Sequence, residues 1–229
     1  YTYRFAFTPE SIGAIVYASR NLTNLKDNVI AGFQLTCIGD DRAYTYLASR
    51  NGNTRIDRIA KRVLSTRPNV HHYSYLGRGS DERTYSSAGI DLPFISIMRS
   101  RYGDYPEYHT SLDDLDNVVN PQGLQGGLDA VRECIEILET EKVLVTTTLG
   151  EPQLGPRGLY HTMLNKNTSD EVMLRTNILA YADGHHSIAE MAEIFHEDPA
   201  NMDRMVGELE KHNLIQRKHQ GSEARPGAH

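Results

Sequence analysis

Short apolar runs of period two alternate with longer runs of period near 3.6 along the first 150 residues, and that alternation constrains the fold more than any other feature of the chain. Tyr3 to Phe7 reads as a strand, and Glu10 to Arg20 as a helix with Ile12, Ile15, Val16 and Ser19 on one face. A second strand is expected over Asn28 to Ile38. Ile56, Ile59, Ala60, Val63 and Leu64 then follow helical spacing, which predicts a helix from Thr54 to Thr66, closed by Pro68. Val70 to Leu76 and Leu92 to Met98 return as strands, and Leu124, Leu128, Val131, Ile135 and Leu138 mark a long helix after Pro121. Strands alternating with helices imply an α/β sheet covered by helices.

The run Gly150-Glu-Pro-Gln-Leu-Gly-Pro-Arg-Gly breaks this pattern and places a boundary near residue 150. Beyond it, Ser169 is expected to cap a helix reaching Asp183, with Gly184 as a left-handed stop. Ser187 and Glu190 form a capping box ahead of Ile188, Met191, Ala192 and Phe195, and Asp198-Pro199 opens a helix carrying Met202, Met205, Val206 and Leu209. With a short strand at Leu214 to Lys218, this is the pattern of a small winged helix-turn-helix module. The expected organisation is an α/β domain over 1–150, a connector over 151–168, the winged helix over 169–220 and a polar tail over 221–229.

Composition removes several classes of function. The 229 residues carry a formal charge of -6, the wrong sign for a chain that lives on phosphate backbones, so no nucleic-acid partner is expected. No apolar run is long enough to span a bilayer, and no membrane partner is expected. Cys37 and Cys134 lie far apart without Cys-x-x-Cys neighbours, which argues against a disulfide framework or thiolate zinc knuckle and for a reducing cytoplasm. The chain opens without Met on Tyr1-Thr-Tyr-Arg-Phe-Ala-Phe, alternating like the middle of a sheet, so a missing N-terminal segment is expected to precede it; a homo-oligomer is an open possibility.

Two loops concentrate chemistry-bearing side chains. Gly77-Arg-Gly-Ser-Asp-Glu-Arg-Thr-Tyr follows a strand, where open α/β sheets hold their ligands. Its Asp81 and Arg83 either bind the two ends of a substrate or pair with each other. Tyr102-Gly-Asp-Tyr-Pro-Glu-Tyr-His-Thr-Ser-Leu-Asp-Asp-Leu-Asp sets His109 among tyrosines and carboxylates. A neutral imidazole backed by a carboxylate is a common zinc ligand, and Asp113 or Asp116 is placed to be that support; the plain alternative is a polar loop histidine. Tyr85, Tyr105 and Tyr108 either line a pocket or pack the loop.

Taken with Pro9-Glu10-Ser-Ile-Gly ahead of them and the Glu-Pro-Gln-Leu-Gly-x-Arg-Gly-Leu-Tyr connector and winged helix behind, these loops resemble the zinc exopeptidase superfamily. The resemblance is closest to bacterial zinc aminopeptidase-like proteins with a C-terminal winged helix, and the chain looks like their C-terminal part. It implies a zinc-exopeptidase-like mixed sheet covered by helices, plus the winged-helix module. It also implies a zinc-dependent hydrolase of peptide or small amide bonds, with Glu10 as general base, His109 as zinc ligand and Asp81, Arg83 and Tyr108 near the substrate. Where the superfamily has a second Glu and a zinc-binding Asp, this chain has Ser11 and Thr36, so one zinc ion is implied rather than two. The remaining ligands are expected upstream, with His71, His72 and His161 as possible substitutes; on a strand, adjacent His71 and His72 point to opposite faces.

In such an enzyme Glu10 takes a proton from metal-activated water and delivers it to the leaving amine. The competing role for Glu10 is to favour the dipole of a helix start after Pro9. The lost carboxylates admit a non-catalytic pseudopeptidase, and the winged helix admits a ligand-sensing regulator. Against the regulator, residues 170–219 hold ten acidic and five basic side chains, which opposes phosphate binding.

Overall fold

The computed structural model describes residues 1–159 and 166–221. The chain divides into two units, Tyr1–Glu139 and Thr140–His229. In the first, α1 (Ile12–Asn28), β1 (Gly32–Leu35), β2 (Tyr44–Leu47), α2 (Arg55–Leu64), β3 (Val70–Tyr73), α3 (Glu82–Tyr85), β4 (Phe94–Met98) and α4 (Pro121–Thr140) follow one another. The sheet order is β1-β4-β2-β3. β1 runs parallel to β4 and β2 parallel to β3, while β2 and β4 are antiparallel, so the expected mixed sheet is present.

Tyr44, Tyr46, Ile95 and Ile97 face a core built with α2 and α4, into which Ile56, Ile59, Val63, Leu64, Val131 and Leu138 pack. A smaller cluster joins Ala14, Ala18 and Leu25 of α1 to Tyr85, Leu92 and Phe94. The start of α2 is fixed by Asp57. Its buried carboxylate accepts from the Thr54 amide at 2.8 Å, the Ser49 amide at 2.9 Å, the Ser49 hydroxyl at 2.6 Å and the Tyr46 hydroxyl at 2.5 Å. Through this one side chain the helix is tied to the central strand and to the loop that follows it.

Several expectations are corrected. Residues 3–7 form no strand; they run irregularly, with Phe7 95% exposed, and pair with no described strand. α1 begins at Ile12 and buries Ala14, Ala18 and Leu25, while Ile12, Ile15 and Val16 stay exposed. Ile15 lines a groove of about 460 Å³ with Leu22, Arg83 and Ile90. On α4, Val131 and Leu138 pack into the core as expected with Ile135 against it, but in the first turns Leu124 and Leu128 are turned out, Leu128 57% exposed. The close-packed face is glycine instead: a Cβ on Gly123 would stand 2.0 Å from the Gly39 carbonyl oxygen, and one on Gly127 2.3 Å from Ile38. The helix therefore lies directly on the 38–40 loop, and the rotation that this needs carries Leu124 and Leu128 outward.

In the second unit β5 (Val143–Thr146), α5 (Lys166–Tyr181), β6 (Asp183–Ser187), α6 (Ile188–Phe195), α7 (Pro199–Lys211) and β7 (Ile215–Lys218) surround one core. Met191, Ala192, Met202, Met205, Val206 and Leu209 are buried, with Ile188 and Phe195 packed against them. The caps expected ahead of α6 and α7 form: Ser187 and Glu190 bond reciprocally, and the Asp198 carboxylate accepts from the Ala200 and Asn201 amides.

The boundary falls at 139/140 rather than near 150, because β5 is the middle strand of the second sheet, antiparallel to both β6 and β7. The described part of the expected connector is no linker either, since Leu154 and Leu159 are buried in this core. Ser169 falls within α5 rather than at its start, and Gly184, at φ +84°, sits in β6 after the helix has ended. Tyr160, His161, the rest of 160–165 and the tail from 222 lie outside the described residues. No helix among the described residues is long and apolar enough to cross a membrane.

Candidate functional site

Because β1 and β4 are adjacent and parallel, the loops leaving their carboxyl ends emerge together. A buried carboxylate locks them: Asp40 accepts from the Ser100 amide at 2.8 Å, the Ser100 hydroxyl at 2.7 Å and the Arg42 amide at 3.0 Å. The Arg99 amide adds a bond to the Cys37 carbonyl at 2.9 Å. A third loop, 77–86, joins through Tyr102, whose hydroxyl donates to the Gly77 carbonyl at 3.2 Å and to Glu82 at 3.1 Å. Burial, reinforced by the Glu82 charge, pushes the Tyr102 hydroxyl far above its usual range, so it keeps the proton that it donates. Loops at strand carboxyl ends are where α/β folds place their ligands.

Glu10 is exposed and lies just before α1. The residue after it is anchored from the third loop: the Ser11 amide donates to Asp81 Oδ1 at 2.9 Å, and Arg83 donates to Ser11 Oγ at 2.8 Å. Asp81 and Arg83 thus both turn to Ser11 rather than to each other. Tyr108 is half-buried, and its hydroxyl is shifted upward, first by burial and then by the acidic groups Cys37, Glu10 and Asp113. Tyr105 is buried, and its hydroxyl donates to Asp113 at 2.8 Å and lies 3.7 Å from Cys37 Sγ. Burial and the bond to Asp113 push that hydroxyl up as well, and burial raises the Cys37 thiol, which stays protonated at neutral pH.

His109 is exposed, stands at φ +59° and stacks on Tyr108 with ring centres 4.0 Å apart and planes 16° from parallel. The carboxylate support expected for it is not formed among the described residues: Asp113 accepts from Tyr105 at 2.8 Å, and no hydrogen bond joins His109 to Asp113 or Asp116. Nor do three His, Cys, Asp or Glu side chains converge anywhere among the described residues in a way that would hold a metal ion. His71 and His72 lie on β3, at the edge of the sheet far from β1. A lone exposed imidazole is one donor and does not by itself fit a zinc centre, which takes three or four.

The sequence singles out Glu10, Asp81, Arg83, Tyr108 and His109 as candidates but gives Ser11 and Cys37 no part beyond a carboxylate lost at Ser11 and next to Cys37. The structure puts both at positive φ beside the candidate base or the tyrosines. One signal for the turn was legible in Gly13, where a Cβ would stand 2.7 Å from Thr8 Cβ and 2.8 Å from Pro9 Cδ, so only glycine lets the chain fold back there.

Residues 1–141 match the family model described as a domain of unknown function, DUF4910, and residues 141–217 a winged helix-turn-helix model. A Clostridium acetobutylicum protein described as a "putative polysaccharide biosynthesis protein with aminopeptidase-like domain" is 37% identical over 197 residues, which is 84% of this chain and 44% of that protein. The crystal structure of a "putative peptidase" from Clostridium acetobutylicum superposes with a TM-score of 0.62 at 32% identity, over 92% of this chain and 47% of the other. The chain therefore spans under half the length of the relatives it matches.

Proposed function

The chain belongs to the DUF4910 family, here followed by a winged helix-turn-helix and built on an aminopeptidase-like fold, and from that premise we propose that the complete protein hydrolyses peptide or small amide bonds with Glu10 as its general base. The observation that carries this reading is the convergence at the strand carboxyl ends. Glu10 is an exposed carboxylate whose next residue, Ser11, is held by Asp81 and Arg83 of the third loop; its charge helps raise the Tyr108 hydroxyl, and Tyr108 stacks on His109. An exposed carboxylate is suited to take a proton from attacking water and pass it to the leaving amine. Tyr108, kept protonated, is suited to donate to a substrate oxygen.

The described residues do not make a metal centre, and no step is routed through one. For the complete protein we propose one zinc ion with His109 as the donor from this chain and the other donors outside these 229 residues. His109→Ala in the complete natural protein is expected to lose about one equivalent of zinc by elemental analysis. Stoichiometric metal in that variant rejects the assignment, as does tight zinc binding by the 229 residues alone.

The second reading, a pseudopeptidase that binds peptide-like ligands without turnover, is favoured by Ser11 and Thr36 standing where carboxylates would be needed. A panel of peptides and amides tested against metal-replete complete protein separates the two, since cleavage of none supports the pseudopeptidase. The regulator is disfavoured by the winged helix itself. Arg175 pairs with Glu208 at 2.7 Å, Arg204 with Glu171 at 3.0 Å and Arg217 with Asp203 at 2.9 Å, so these guanidiniums are already neutralised. No duplex binding is expected at physiological salt in an anisotropy titration, and salt-sensitive binding to a defined duplex would restore the regulator.

A further inference from the structure

Glu10, Ser11 and Ile12 form a tight three-residue turn. The Ile12 amide donates to the Glu10 carbonyl at 2.8 Å, and Ser11 between them has φ +61° and ψ -70°. These are the values of the positive-φ γ-turn, which is rare and strained for a residue with a side chain. Such a backbone persists only where its surroundings over-determine it, and here two groups from one distant loop do so. Asp81, 7% exposed, accepts the Ser11 amide, and Arg83 donates to the Ser11 hydroxyl. The stretch that carries them is itself pinned, since Glu82, between the two, accepts from the Gly79 and Ser80 amides at 2.7 and 3.0 Å.

We infer that Asp81 and Arg83 are positioning residues that clamp this strained turn and thereby aim the Glu10 carboxylate, rather than groups that bind the substrate's ends. The inference rests on Glu10 being the general base. Released from the clamp, Ser11 relaxes toward negative φ and swings Glu10 off its line, and misplacement of a catalytic group by about 1 Å is enough to cost on the order of 100-fold in rate. Asparagine at position 81 retains an oxygen that accepts the Ser11 amide, whereas alanine does not.

The test uses the complete natural protein and an aminoacyl p-nitroanilide as probe. Asp81→Ala is expected to lower kcat about 10-fold or more with KM changed less than about twofold, Arg83→Ala to lower it about threefold, and Asp81→Asn to stay within about threefold of the natural protein. In a Glu10→Gln background, Asp81→Ala should cause no further loss, because there is no base left to aim. A rise in KM at constant kcat, or losses that multiply in the double variant, overturns the clamp while leaving the hydrolase reading intact. The clamp is also read without turnover, so that an inactive natural protein defeats only the hydrolase reading. In a crystal structure of Asp81→Ala, Ser11 is expected to leave positive φ, and a γ-turn retained there overturns the inference.

Discussion

Asp57→Ala is expected to destabilise the first unit by about 3–5 kcal/mol, the largest loss of stability anticipated for any single side chain there. The carboxylate is buried and receives the Thr54 and Ser49 amides together with the Tyr46, Ser49 and Thr54 hydroxyls. Removing it strands several buried donors at once, and each unsatisfied donor costs about 1–3 kcal/mol, with partial relief where water enters. Tyr46 senses the same group, since burial and then the Asp57 charge drive its hydroxyl far above the usual range. Urea unfolding followed by circular dichroism gives the measurement, with a lower midpoint at unchanged slope as the expected sign. A loss below about 1 kcal/mol would mean that the donors find other partners. Asp57→Asn, which retains one oxygen acceptor, should fall between the two.

Glu10→Gln is expected to lower turnover by about 100-fold or more while leaving fold and metal content unchanged. The amide nearly matches the carboxylate in size but does not take up a proton, so the variant removes the base without opening space. Glu10 is exposed and its carboxylate supports no packing, which makes a stability cost unexpected. The discriminating measurement is kcat/KM on any amide that the natural protein cleaves, with thermal unfolding as a control. Unchanged turnover would leave Glu10 only its place at the start of α1, where a carboxylate favours the helix dipole.

In the second unit α6 and α7 were legible almost residue by residue because their information is local, whereas the membership of β5 and of Leu154 and Leu159 was not. Caps at Ser187 and Asp198 and helical spacing from Ile188 to Leu209 are written within a few positions of where they act. The first unit hid more. β2 is four residues, Tyr-Thr-Tyr-Leu, buried on both faces, so it lacks the alternation by which a half-buried strand is recognised. α4 carried a leucine pattern that pointed to one face and a glycine pattern that pointed to another. Backbone contact with the 38–40 loop decided between them, and periodicity does not register such contacts. At the candidate site the residue types were visible but their pairing was not. Nothing local to Asp81 and Arg83 says that both reach Ser11, some 70 positions away, and a γ-turn at a serine has no compositional signature.

The place of β5 in the middle of the second sheet has a practical consequence for anyone who wishes to study the winged helix in isolation. A fragment begun at the Gly/Pro-rich stretch after residue 150 would discard the strand to which both β6 and β7 are bonded. It would keep α5, α6 and α7 yet leave two strands with open hydrogen-bonding edges, a ready template for pairing between chains. Val143 and Leu144, buried beneath those helices, would go with it. Cutting instead just after α4, ahead of Glu141 and Lys142, keeps the sheet closed on its own middle strand, and a soluble monomer is the expected product where the shorter fragment would aggregate.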